Sequence, residues 1–244
     1  MAAPDLTVLG TGNAESLRYW NTSAWVRTNA GNLLIDCGFS VKPALHERGL
    51  SLQSVDSVFI THVHGDHVHG LERLGFESRY VYHRRPVLYL EEDLYHPLWE
   101  KCLAGSMGQT SCGSSRLEDF FDVRMIEHHT FTVGGCRFQT FPTPHTVGKP
   151  SYGLVINDRV LFTSDSTVIP ELDAFFPHGF IFHDICLQAK NPVHATLSEL
   201  IARYPLQVRQ RMFLMHYGDE IDFYRALIDR QFLGVAEQGQ VIEL

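Results

Sequence analysis

The feature that most constrains this chain of 244 residues is a run of polar side chains at residues 61–67, Thr-His-Val-His-Gly-Asp-His. The run brings His62, His64, Asp66 and His67 within six residues. Imidazole nitrogens and carboxylate oxygens are natural ligands of zinc and similar ions, and a single tetrahedral ion rarely takes four ligands from so short a loop. The sequence therefore predicts two divalent metal ions, with zinc favoured and manganese or iron also compatible with these side chains.

Three further candidates lie far along the chain, and each directly follows a predicted strand. His145 follows the strand at 136–141, Asp165 follows the strand at 160–162, and His216 follows the strand at 212–215. One histidine or aspartate in such a place is usually structural. Because strand ends gather at one edge of a sheet, the three residues together predict a single site at that edge.

The pattern of apolar residues predicts an α/β fold, because helices and strands alternate in both halves of the chain. Strands are predicted at 6–9, 23–27, 32–36, 55–61, 79–81, 86–90, 122–127, 131–133, 136–141, 152–156, 160–162, 180–182 and 212–215, and helices at 41–48, 68–74, 91–103, 197–202 and 221–230. Residues 104–115 are rich in Gly and Ser, which predicts a mobile loop. The length fits one domain spanning 1–244, with an inserted lid or dimer loop at about 95–118.

The run His-x-His-x-Asp-His, followed by a later His, Asp and His, resembles the signature of the metallo-β-lactamase superfamily over nearly the whole chain. The resemblance implies a four-layer αβ/βα sandwich with the site at one edge of two sheets. It also implies the division of ligands between the two metals. One metal would be held by His62, His64 and His145, the other by Asp66, His67 and His216, and Asp165 would bridge them.

Three segments are similar to the ribonuclease Z-like branch of this superfamily. Residues 9–12, Leu-Gly-Thr-Gly, resemble its opening, and 193–196, Val-His-Ala-Thr, resemble its His-Ser-Thr motif with Ala in the middle position. Residues 181–184, Ile-Phe-His-Asp, match the segment that supplies an acid to orient the histidine of that motif. The resemblance implies that His194 protonates the departing oxygen and that Asp184 orients His194, where ribonuclease Z typically has Glu. His183 is a rival partner for His194. Asp66 is expected to hold the nucleophile as well as a metal.

The charge of the chain favours a small substrate. The formal net charge is −8, and the longest insertion, roughly 83–124, is not basic, whereas long nucleic acid needs clustered Lys and Arg. The segments 183–184, 192–194 and 216–219 resemble cyclic-nucleotide-degrading phosphodiesterases, which include the phage anti-Pycsar nucleases and their bacterial relatives. This resemblance implies a homodimer that hydrolyses cyclic nucleotides, 3′,5′-cyclic mononucleotides first, by attack of a metal-activated hydroxide on phosphorus.

Three other functions remain open from the sequence. A ribonuclease Z-like tRNA 3′ endonuclease would bind RNA tightly and in a salt-sensitive way. A carbon-ester or thioester hydrolase on the same metals would not need His194 as an acid. A non-catalytic scaffold would have an incomplete ligand set, whereas all seven ligands are present here.

The remaining features predict a soluble protein of the cytoplasm, which would be the host cytoplasm for a phage protein. No apolar run approaches the ~20 residues of a membrane span, and Met1–Asp5 does not have the composition of a secretory signal. The five cysteines are odd in number and form no Cys-x-x-Cys pair, which indicates reduced thiols. Cys102 and Cys112 lie in a polar stretch, and whether they pair is open.

Overall fold

Two seven-stranded sheets form the framework of the protein in a computed structural model, which describes residues 3–244. Met1 and Ala2, which belong to the segment predicted to lack a secretory signal, lie outside the described residues. None of the helices in the described part of the chain combines the length and apolar character that a membrane-crossing helix needs.

Strands and helices alternate as the sequence predicts, with several short additions. Within residues 3–244 the strands are β1 (Asp5–Gly10), β2 (Ser23–Arg27), β3 (Asn32–Ile35), β4 (Ser57–Phe59), β5 (Val87–Leu90), β6 (Gln109–Thr110), β7 (Gly113–Ser114), β8 (Asp122–Met125), β9 (Thr130–Val133), β10 (Cys136–Pro142), β11 (Tyr152–Ile156), β12 (Val160–Phe162), β13 (Phe180–Asp184), β14 (Met212–Met215), β15 (Gly234–Val235) and β16 (Val241–Glu243). The helices are α1 (Val41–Glu47), α2 (Gly65–Val68), α3 (Gly70–Tyr80), α4 (Glu92–Leu98), α5 (Ala104–Met107), α6 (Leu172–Phe175), α7 (Leu197–Arg203), α8 (Leu206–Arg209) and α9 (Arg225–Gln231). Short 3-10 helices span Leu52–Ser54, Leu117–Asp119 and Asp219–Phe223, and a π-helical turn spans Trp99–Leu103.

The first sheet has the strand order β16-β1-β2-β3-β4-β5-β8. Its β1, β2 and β3 are antiparallel neighbours, whereas β3, β4, β5 and β8 run parallel. Parallel neighbours need crossover connections, and the connections here carry α1, α3 and α4. The carboxyl ends of these parallel strands therefore lie at one edge of the sheet.

The second sheet has the strand order β15-β14-β13-β12-β11-β10-β9. Two tight hairpins build its antiparallel half, and both of their turns need backbone with positive φ. Gly134 and Gly135 provide it between β9 and β10, with φ of 51° and 86°, and Asn157 and Asp158 provide it between β11 and β12. From β12 to β15 the strands run parallel and are connected by helices.

Alternating apolar residues on the strands separate the layers. In β12, Phe162 packs into the core shared with the first sheet, while its neighbour Leu161 packs into a second core with residues of α7 and α9. Successive side chains of a strand point to opposite faces, so the second sheet is covered on one face by the first sheet and on the other by helices. This arrangement confirms the predicted α/β sandwich with two sheets inside.

Two predicted elements differ from the structure. Arg79–Val81 is predicted as a strand, but Arg79 and Tyr80 form the last turn of α3, where Tyr80 stacks on Phe76 one turn earlier and the guanidinium of Arg79 lies over the ring of Phe120. The predicted mobile loop at 104–115 begins with α5 and ends with the β6–β7 hairpin. Met107 is fully buried against Gly75 of α3, which holds this segment to the core.

Candidate active site

Seven predicted metal-binding side chains lie together where strands of both sheets end. His62 and His64 follow β4, and Asp66 and His67 lie in the single turn of α2, which begins at Gly65. The other three follow strands of the second sheet: His145 follows β10, Asp165 follows β12 and His216 follows β14. The strand ends of two sheets thus bring distant parts of the sequence to one place.

The first group of candidate ligands consists of His62, His64, His145 and Asp165, whose ligand atoms lie within 4.8 Å of one another. Nδ1 of His64 lies 3.0 Å from Nε2 of His62 and 3.1 Å from Nε2 of His145. Oδ2 of Asp165 is 3.6 Å from Nε2 of His62 and 3.8 Å from Nε2 of His145. Three imidazoles and one carboxylate around a small space can hold one divalent cation.

The second group consists of Asp66, His67, Asp165 and His216, again within 4.8 Å of one another. Oδ1 of Asp165 is 3.2 Å from Nε2 of His67 and 3.2 Å from Nδ1 of His216. Oδ2 of Asp66 lies 3.4 Å from Nε2 of His67. Asp165 therefore directs one carboxylate oxygen to each group, which is the arrangement that a bridging ligand requires.

Two buried atoms in these groups, Nε2 of His67 and Oδ1 of Asp165, lie 3.2 Å apart but make no well-aligned hydrogen bond to each other or to any other residue among 3–244. Buried polar atoms are almost always satisfied, so such an orphaned pair fits a position where a cation binds. Burial and the neighbouring His67 hold the pKa of His62 well below its usual range, and burial, His145 and Lys149 lower the pKa of His64 to about 4. Neutral imidazoles are the form that binds a metal, so His62 and His64 fit divalent ions, whereas Asp165, Asp36 and Asp66 raise the pKa of His67, which must lose a proton to bind one.

Asp36 supports this cluster, although the sequence analysis did not identify it. It follows β3 with a positive φ of 62° and is fully buried. Its Oδ2 accepts a hydrogen bond from Nδ1 of His67 at 2.7 Å, and its Oδ1 accepts one from the backbone N–H of Thr61 at 2.9 Å. A carboxylate on the far nitrogen of a metal-binding imidazole fixes its tautomer and orientation. In the sequence, Asp36 is marked only as an acidic residue at the end of an apolar strand, which does not indicate that it supports His67.

His194 and Asp184 form a second constellation beside the ligands. Nδ1 of His194 is 2.7 Å from Oδ2 of Asp184, which also accepts the backbone N–H of Ser166 at 2.8 Å. Burial alone would lower the pKa of His194, but the hydrogen bond and charge of Asp184 raise it to about 9. His183, the rival partner, instead contacts the hydroxyl of Tyr204 and the backbone of Asp184. The contact with Asp184 thus favours the protonated form of His194 next to the cluster.

Two cavities meet at the ligand cluster, and we call them the first lobe and the second lobe. The first lobe has a volume of about 370 Å³ and is lined by Asn13, Ala14, Glu15, His64, Gly65, Asp66, Asp165, Ile185, Cys186, Leu187, Gln188, Asn191, His194, His216, Gly218 and Glu220. The second lobe has a volume of about 310 Å³ and is lined by His62, Val63, His64, Gly65, Val68, His69, Leu94, Pro97, Lys101, Cys102, His145, Gly148, Lys149 and Pro150. Because His64 and Gly65 line both lobes, the cleft passes across the cluster.

The side chain of Asn191 connects His194 with one candidate ligand. Its Oδ1 accepts the backbone N–H groups of Val193 and His194, both at 3.0 Å, and its Nδ2 donates to Sγ of Cys186. The carbonyl of Val193 in turn accepts a hydrogen bond from Nδ1 of His145 at 2.8 Å. One carboxamide therefore fixes the loop that positions both His194 and His145, so Asn191 is a positioning residue.

Replacement of Asn191 with alanine is expected to weaken metal binding about tenfold and to lower kcat by a similar factor. The loss follows because partners of metal-binding histidines typically contribute 10–100-fold to metal affinity. Asn191→Asp keeps the acceptor oxygen and should recover most of the metal affinity. Competition with a chromophoric chelator measures the affinity, and steady-state kinetics separate kcat from KM.

Asn157 offers a matched control for this prediction. Its Oδ1 accepts a backbone N–H, that of Arg137, and its Nδ2 donates to Sγ of Cys136, so it repeats the contacts of Asn191 far from the cluster. Asn157→Ala is expected to lower Tm while metal affinity stays at the wild-type value. Wild-type metal affinity and kcat in Asn191→Ala would contradict the positioning role.

The family model and the curated relatives that match this chain carry the same family description. A family model described as Anti-Pycsar protein Apyc1 matches residues 4–242. The chain is 40% identical over 226 residues to an anti-Pycsar protein Apyc1 of Paenibacillus sp. (strain J14), covering 90% of this chain and 91% of that protein. It is 38% identical, over an alignment of 260 positions, to an anti-Pycsar protein Apyc1 of Bacillus phage vB_BsuM-Goe3, covering 98% of each protein. The metallo-β-lactamase fold protein YhfI from Bacillus subtilis is similar in structure, with a TM-score of 0.76, 19% identity and 100% of both chains covered.

Proposed function

Because the chain belongs to the anti-Pycsar protein Apyc1 family, we propose that it hydrolyses cyclic nucleotides, 3′,5′-cyclic mononucleotides first, on two divalent metal ions. The chain is an enzyme, a metal-dependent hydrolase of the metallo-β-lactamase fold. The observation that carries the phosphodiesterase activity is the Asp184–His194 pair, which holds a proton donor beside a complete set of metal ligands.

The proposed ligand assignment gives each ion its own set of side chains. His62, His64 and His145 would hold the first ion, Asp66, His67 and His216 would hold the second, and Asp165 would be shared by both. Zinc is favoured, and manganese and iron suit the same donors. When bound, such ions neutralise the phosphoryl oxygens and make water a nucleophile near neutral pH.

The residues of the chain perform the remaining steps. His194 donates a proton to the ester oxygen that departs from phosphorus, and Asp184 keeps His194 oriented and protonated. Asp66 orients the attacking water in addition to binding a metal. His194 lines the first lobe, so the nucleoside that carries the departing oxygen lies there. The net charge of −8 disfavours long nucleic acid as the substrate.

The proposal includes a homodimer in which the segment at about 95–118 serves as a lid or dimer contact. Cys112 is exposed at the tip of the β6–β7 hairpin, whereas Lys101 and half-buried Cys102 line the second lobe. The segment thus reaches from the cleft to the surface. Both thiols are free in the structure.

A substrate panel tests the proposed function. It consists of 3′,5′-cyclic mononucleotides, cyclic dinucleotides, bis(p-nitrophenyl) phosphate and a precursor tRNA, each incubated with protein loaded with zinc or manganese. Opening of cyclic mononucleotides by the wild type, with loss in His64→Ala, is the expected result. Cleavage of the tRNA alone would favour the processing endonuclease. Survival of every phosphodiester with metal bound would refute the proposal and direct attention to carbon esters and thioesters.

A further inference from the structure

We propose that this site also hydrolyses a second kind of phosphodiester, a linear dinucleotide with a phosphate at its 5′ end, which places one nucleoside in each lobe. The inference rests on the proposed function, because it uses the same ligand cluster and the same proton donor. Both ester oxygens of a 3′,5′-cyclic mononucleotide belong to one nucleoside, whereas a linear dinucleotide carries a nucleoside on each ester oxygen.

A cyclic mononucleotide leaves the second lobe unused. Its departing oxygen must reach His194, which lines the first lobe and is absent from the residues of the described chain that line the second. The second lobe nevertheless has a volume of about 310 Å³, within the range of small-molecule sites, and it opens directly on His62, His64 and His145. A substrate with a second organic group across the phosphorus would fill this space.

The charges of the two lobes are opposite. Among the described residues, the second lobe has Lys101 and Lys149 and no carboxylate in its wall, whereas the first has Glu15 and Glu220 and no lysine or arginine. Although the net charge of the chain is −8, the two lysines make the second lobe the part of the cleft that attracts a negatively charged group, such as the 5′-phosphate of a linear dinucleotide. The apolar side chains of Leu94 and Pro97 provide a wall for the base or ribose of the same nucleotide.

An irregular stretch of helix presents one of these lysines to the cleft. Lys101 and Cys102 lie in the π-helical turn Trp99–Leu103, which interrupts the path from α4 to α5 just after Pro97. A π turn is rare and occurs frequently at functional sites, because it changes the direction of the side chains that follow it. The turn here places both residues in the wall of the second lobe.

The reaction balances without any further reagent. The oxygen of water bonds to the internal phosphorus, and the bond from this phosphorus to O5′ of the nucleoside in the first lobe breaks. His194 gives its proton to that O5′, and the proton lost by water restores His194. The nucleotide in the second lobe keeps both phosphates and leaves as a nucleoside 3′,5′-bisphosphate.

The test compares pApA, the 5′-phosphorylated adenine dinucleotide, with 3′,5′-cyclic AMP. We expect the wild type to cleave both, and Lys101→Ala to lower the ratio of kcat/KM for pApA to that for cyclic AMP about tenfold, as a lost charged contact does. Lys190→Ala is the matched control, because this exposed lysine lines neither lobe, and its ratio should equal that of the wild type. An equal fall in both variants would overturn the inference.

A binding measurement separates this inference from the proposed function. Calorimetry on metal-loaded His194→Ala protein gives the Kd of pApA, and adding Lys101→Ala should weaken binding about tenfold. Hydrolysis of cyclic AMP without cleavage of pApA would overturn the inference and leave the proposed function in place. Binding of pApA that depends on Lys101, without hydrolysis of either nucleotide, would support the second lobe and overturn the proposed phosphodiesterase.

Discussion

Replacement of Asp165 with asparagine is expected to abolish turnover and to leave less than one metal ion bound per chain. Asp165 is shared by both ligand groups, and its two oxygens face different groups. A carboxamide is neutral and has only one oxygen, so both groups lose affinity. Because metal ions stabilise the transition state of phosphodiester hydrolysis by several kcal/mol, kcat should fall by at least about 10³-fold.

Two measurements report the loss of metal affinity without any substrate. Metal analysis of the purified protein counts the bound ions, and the rise of Tm on adding zinc reports binding, because an ion that binds the folded state stabilises it. The wild type should carry two ions and show a large rise, and Asp165→Asn a small one. Asp5→Asn is the control, since it removes a buried carboxylate that pairs with Arg27 on the first sheet. Two tightly bound ions in Asp165→Asn would refute a bridging role.

The candidate ligands could be identified from the sequence because each follows a strand that its own apolar residues define. His145, Asp165 and His216 are far apart in the chain, but the strands before them belong to one sheet and end at the same edge. The sheet order itself was not needed for this prediction. Any arrangement of these strands with a shared edge would bring the three residues together.

The supporting residues could not be identified in the same way. Asp36 acts through the far nitrogen of His67, and Asn191 acts through backbone N–H groups, so neither has a characteristic spacing from the residue that it positions. The two lobes also escaped prediction, because their walls combine loops from both halves of the chain. In the segment 9–12, a Cβ at Gly12 would lie 2.6 Å from the carbonyl oxygen of Tyr19. This glycine is therefore required by local packing.

Replacement of His194 with alanine is expected to lower kcat for a cyclic nucleotide about 10²–10⁴-fold, the usual contribution of a general acid. The same change should have little effect on bis(p-nitrophenyl) phosphate. A ribose alkoxide needs a proton as it departs, whereas p-nitrophenolate is stable without one. The quantity to measure is therefore the ratio of the two rate constants in wild type and variant, at saturating metal.

The matched control is His178→Ala, because His178 is an exposed histidine that lines neither lobe. Its ratio of rate constants should equal that of the wild type. Equal losses on both substrates in His194→Ala would mean that His194 does not act as a general acid. Metal analysis of that variant would then distinguish a role in metal binding, which predicts fewer bound ions, from a role in packing.

The pH profile follows from the same contact. Asp184 raises the pKa of His194 to about 9, so the acid form predominates below that pH and is lost as the pH rises through it. Turnover of a cyclic nucleotide should therefore fall on the alkaline side. Asp184→Asn removes the charge that stabilises the imidazolium, so the pKa of His194 drops and the alkaline limb moves to lower pH. An unmoved limb in Asp184→Asn, with the rate on bis(p-nitrophenyl) phosphate preserved, would show that a group other than His194 delivers the proton.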